Sequence, residues 1–72
     1  MQLSTIRKGM RVRIEKLPAG DMRAQFIRIG MMEGVTVFCL DRLPGGTIVL
    51  GLHHQEVALS DELARAILIS RL

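Results

Sequence analysis

The sequence predicts a mainly β fold: a small barrel of about five strands with two short helices. Three features carry this. Short runs alternate apolar and polar residues, glycine-containing breaks separate them, and only two brief stretches show helical spacing. Both SH3-like and OB-like arrangements satisfy this pattern.

The first strand covers residues 10–17, where Val12 and Ile14 face inward and Arg11, Arg13 and Glu15 face outward. Pro18, Gly20 and Asp21 break it. Met22, Phe26 and Ile29 then recur at helical spacing, which predicts a helix of about two turns over residues 22–29. Asp21 is placed to cap it, and Gly30 to end it in the left-handed conformation. Glu33-Gly34 reads as a turn. Residues 35–40, V-T-V-F-C-L, read as a strand buried on both faces. Pro44-Gly45-Gly46 marks a hairpin, with strands expected at residues 48–50 and 55–59. Ser60 can cap a second helix, aided by Asp61 and Glu62 near its positive end. A last strand at residues 67–69 is expected to close the barrel.

With 72 residues the chain is one domain, 1–72. A domain of this size hides only about 60% of the surface its unfolded chain exposes. An apolar fraction of 49% is enough for a core. The single cysteine, Cys39, excludes an internal disulfide and fits a reducing compartment. No apolar run approaches the ~18 residues that read as a membrane span, and the N-terminus lacks a signal-peptide pattern. These features point to a cytoplasmic, soluble protein.

The net charge of +3 is unevenly spread. Residues 1–30 carry seven basic groups against Glu15 and Asp21, a balance of +5. The remainder carries three basic groups against five acidic ones, a balance of −2. Such asymmetry suits an acidic partner, a nucleic acid or a membrane surface; its other reading is a solvated rim.

The residues that could carry chemistry are few. Cys39 lies mid-strand between Phe38 and Leu40 and reads as a small apolar filler. No nucleophile is paired with a base at a defined spacing, and no phosphate-binding loop is present, so the sequence reads as non-enzymatic and without a cofactor. His53 and His54 are neighbours, and on a strand they would point to opposite faces. His54 and Glu56 would share a face and give at best a weak metal site. Phe26 and Phe38 are the only aromatics. That makes nucleic acid an unfavoured partner, since single strands are held largely by aromatic stacking.

Residues 23–34, R-A-Q-F-I-R-I-G-M-M-E-G, stand out. A two-turn helix offers the core one stripe, and Ile29 with Met22 or Ile27 fills most of it. Phe26, Met31 and Met32 are then expected to contact a partner, with Arg23 and Arg28 at the rim. The competing assignment puts this whole apolar set in the core.

This segment resembles the FeoA family of bacterial ferrous-iron uptake. The family pattern, a short helix ending in Leu-x-x-Leu-Gly-Leu/Met-x-Pro-Gly before an apolar strand, reads here as Phe26-Ile27-Arg28-Ile29-Gly30-Met31-Met32-Glu33-Gly34. A second block reads Val57-Ala58-Leu59-Ser60, Ala64 and Ile67-Leu68-Ile69, and Leu3, Gly9, Val12 and Ile14 also match. Glu33 stands where the family has proline, which predicts a less rigid turn, and Ser60 stands where it has arginine. The resemblance implies an SH3-like barrel that docks on the cytosolic, GTP-binding part of the FeoB permease and modulates iron transport. The alternatives are a basic nucleic-acid-binding barrel and a weak metal-binding module.

Overall fold

The computed structural model describes residues 1–72. A 3-10 turn at Leu3–Thr5 precedes β1 (Arg11–Lys16), α1 (Asp21–Arg28), β2 (Thr36–Arg42), β3 (Ile48–Leu52), β4 (Gln55–Leu59), α2 (Asp61–Arg65) and β5 (Leu68–Arg71). The five strands form one antiparallel sheet in the order β4-β3-β2-β1-β5. The sheet curls around a core in an SH3-like, barrel-like fold.

The expected closure by the last strand does not occur. β5 pairs with β1, and β4 and β5 lie at opposite ends of the sheet. The outer side of β5 is instead taken by the N-terminal residues. Leu3 N–H donates to Ile67 O at 2.8 Å, and Ile69 N–H to Met1 O at 2.7 Å. Backbone groups that closure would have satisfied thus find partners in the first three residues.

All sixteen buried residues are apolar, so the interior contains no polar group that needs an internal partner. Val12 and Ile14 of β1 are fully buried, while Arg11, Arg13 and Glu15 are exposed, as the alternation requires. β2 departs from expectation. Val37 and Cys39 face the core, but Thr36 and Phe38 face outward and are exposed. With one curled sheet and no second layer, only the concave face can be covered. The continuous apolar run therefore does not mean two buried faces.

The turns follow their chemistry. Gly45 and Gly46 adopt positive φ between β2 and β3, where Leu43 N–H donates to Thr47 O at 2.8 Å. Ser60 caps α2, its hydroxyl accepting from Leu63 N–H at 3.2 Å. Asp21 does not cap α1. Gly20 occupies that position with φ of 81°, and Asp21 is the first helical residue, where its charge still suits the positive end.

Candidate functional site

The end of α1 decides the fate of the segment singled out in the sequence. Gly30 has φ of 92°, as its position after the helix predicted. Its N–H donates to Ile27 O at 3.0 Å, and Met31 N–H reaches back to Phe26 O at 2.9 Å. This pair of bonds is a Schellman motif, which draws the residue after the glycine back toward the third-last residue of the helix. Here those residues are Met31 and Phe26, and both are in the core, 0% and 4% exposed.

Two expected contact residues are thereby corrected. Phe26 and Met31 pack inward and present no surface to a partner. The reverse holds for residues assigned to the core stripe. Met22 and Ile27 are exposed, and Ile29 is only partly buried. Phe26 is the one residue α1 buries fully. Met32 is 43% exposed and Ile27 39%, so they are the large apolar groups this region offers to solvent beside Met22.

Arg23 and Glu33 hold the region in shape. The Arg23 guanidinium spans both carboxylate oxygens of Glu33, with Nη2 to Oε1 at 2.9 Å and Nη1 to Oε2 as the second contact. Glu33 Oε2 also accepts from Leu17 N–H at 3.2 Å. The hydrogen bond from Arg23, then that from Leu17, lowers the Glu33 pKa to about 2, and the hydrogen bond to the Glu33 carboxylate, with its charge, raises that of Arg23. The residue replacing the family proline therefore ties the turn to α1 and to the end of β1. The expected loosening is offset by these three hydrogen bonds. Arg28 is exposed and takes part in no ion pair.

The β3–β4 hairpin reaches the same region. His53 and His54 form its two-residue turn, with φ of 49° and 66°. They are turn residues, and the expectation that they alternate along a strand is corrected. Gln55 Nε2 donates to Ile29 O at 2.7 Å, and His53 Cδ2 lies 3.3 Å from where a Cβ on Gly30 would stand. Nothing in the spacing of these residues foretells this docking of the hairpin on the end of α1. A glycine followed at long range by His-His-Gln carries no periodic signal.

His54 sits in the turn, and Glu56 lies two residues on in β4. No three or more His, Cys, Asp or Glu residues gather into a possible metal site, so this pair supplies two ligands at most. Cys39 is fully buried, and burial raises its thiol pKa. That makes it poor as a nucleophile and agrees with the filler assignment. No helix is long and apolar enough to cross a membrane.

The fold matches solved structures along its whole length. The FeoA protein from Chlorobium tepidum superposes with a TM-score of 0.90 at 22% identity, over 100% of this chain and 70% of that one. Iron(II) transport protein A from Clostridium thermocellum gives 0.92 at 23%, over 100% of this chain and 46% of that one. A manganese-dependent transcriptional repressor gives 0.86 at 24%, over 100% of this chain and 41% of that one. The chain spans less than half the length of the last two proteins. At these identities the likeness is one of fold. No curated protein matches the sequence. The FeoA domain family model matches residues 1–71, so the chain belongs to the FeoA family, a membership that supports a role in ferrous iron transport.

Proposed function

We propose that this protein is a non-enzymatic accessory factor that docks on the cytosolic, GTP-binding part of the FeoB ferrous-iron permease and modulates transport. The observation that carries the reading is the family match over residues 1–71. The contact region of this reading is revised to follow the exposed residues. Met32 and Ile27 are exposed apolar groups of this segment, and Arg28, next to Ile27 in α1, is exposed and in no ion pair. Arg23 braces the region through Glu33. An apolar centre with cations at its margin is a common make-up for a protein interface.

The test is to measure binding of the purified protein to the FeoB cytosolic region, together with iron uptake by cells carrying the same variants. Binding that is saturable and is lost with Met32→Ser and Ile27→Ser supports the docking reading. Wild-type protein that fails to bind the cytosolic region while remaining folded overturns it. GTP or ATP hydrolysis that stays proportional to this protein through repeated purification overturns the non-enzymatic assignment.

A further inference from the structure

We propose that the outer face of the sheet, around Phe38 and the outward row of β1, is a docking surface for an acidic protein segment with apolar anchors. The inference does not rest on the permease reading, because it concerns a different face and is argued from that face alone.

The register of the sheet places the groups. β2 is the central strand of five, and Phe38 is 36% exposed on its outer side. Arg11 lies directly across from Phe38 on β1. Arg13 lies between Thr36 of β2 and Ser70 of β5. Beyond a bulge at Glu15, Lys16 pairs with Leu68 of β5, which is 43% exposed. Cross-strand partners share a face in an antiparallel pair. The outward row of β1 is therefore a cationic stripe, Arg11, Arg13 and Lys16, with an exposed apolar residue on each neighbouring strand.

None of the three cations is in an ion pair, since the two ion pairs of the molecule join Arg23 to Glu33 and Arg65 to Asp61. The acidic group on this stripe is Glu15, which accepts a hydrogen bond from the Ser70 hydroxyl. Glu56 lies two strands beyond Phe38, on β4. Three cations against one carboxylate leave the stripe positive. An open cavity of about 240 Å³ lined by Met10, Arg11, Arg71 and Leu72 lies at the Arg11 end, but Arg71 pairs with the buried Val12 and so belongs to the other face of the sheet.

Phenylalanine and arginine are both enriched at protein interfaces relative to the rest of the surface. Charge selects the occupant: carboxylates opposite Arg11, Arg13 and Lys16, with apolar side chains over Phe38 and Leu68. A single-stranded nucleic acid fits less well. It gains from successive aromatic platforms, and this face has one.

The test uses the full chain and a short synthetic peptide alternating leucine and glutamate, followed by NMR of the backbone amides. Shifts are expected to gather on Arg11, Arg13, Phe38 and Leu68, and affinity is expected to fall with added salt. A twin peptide with lysine for glutamate should leave this face unmoved. Phe38→Ser, and separately Arg11→Glu with Arg13→Glu, should each weaken binding by about tenfold or more. Phe38 is solvent-exposed, so its variant should fold; if it does not, the charge-reversed pair carries the test. Absence of peptide binding, shifts that centre on α1, or unchanged affinity in the charge-reversed variant each overturn the proposal. Tighter binding of oligo-deoxythymidine at this face overturns it too and assigns the face to nucleic acid.

Discussion

The Arg23 guanidinium holds the Glu33 carboxylate through two hydrogen bonds, joining the first turn of α1 to the loop that leads into β2. Glu33 also accepts the N–H of Leu17, the residue that follows β1. One side chain thus fixes three pieces of backbone.

This junction sets an acid dependence. The Glu33 pKa is about 2 in the folded protein, below its ordinary 4.5. A carboxylate held low contributes stability that is complete above its unfolded pKa and is lost as pH falls through its folded one. The expected window runs from about pH 4.5 down to about pH 2. The pair is 42% and 33% exposed, so solvent screening keeps the effect modest. Urea midpoints measured across this window should fall more steeply for wild type than for Glu33→Gln. Parallel curves would show that the junction adds nothing.

The burial of Phe26 and Met31 makes a second forecast. Phe26→Ala should cost about 3–5 kcal/mol and Met31→Ala about 2–5 kcal/mol, because each empties a packed core site. Chemical denaturation with a fitted midpoint and slope measures both. A loss below about 1 kcal/mol for either would contradict its place in the core.

Met32→Ser and Ile27→Ser should behave oppositely. Both side chains are exposed, so stability should change by less than about 0.5 kcal/mol. If this region meets the permease, binding to its cytosolic part should weaken in both variants. Thermal melts run beside the binding assay separate the two effects.

Gly30 and Gly34 test the hairpin contact. Both have positive φ, 92° and 90°, so alanine at either site should cost about 1–2 kcal/mol of backbone strain. Only Gly30 has a neighbour near the added carbon, His53 Cδ2 at 3.3 Å. Gly30→Ala should therefore be the more damaging, and adding His53→Ala should recover the difference. Equal costs with no recovery would show that His53 yields freely.

Cys39 should be slow toward a thiol reagent in the folded protein. It is fully buried with its thiol pKa raised, and only the unfolded chain should react at the rate of a free thiol. Fast native labelling at neutral pH would show that the strand opens locally.

Local chemistry was legible in the sequence. The five strands and two short helices, the glycine at the end of α1, the serine cap of α2 and the inward alternation of Val12 and Ile14 all follow from neighbouring residues and their spacing. The apolar order of the chain likewise carried the likeness to the FeoA family, to which the chain belongs.

Which apolar residues stay dry was a tertiary decision. Periodicity places side chains around a helix but does not say which of them the neighbouring strands cover. The Schellman bonds after Gly30 folded Met31 back toward Phe26 and left Met32 and Ile27 outside. Phe38 and Cys39 belong to one apolar run, yet a single curled sheet shields only its concave side, so Cys39 is buried and Phe38 faces water. Glu33 met Arg23 and Leu17, ten and sixteen residues away, only because the fold brings the start of α1, the residue after β1 and the loop before β2 within reach of one side chain. Neighbouring residues specify the elements and carry the family likeness. The packing of those elements decided the exposed surface, because burial depends on contacts between residues far apart in the chain.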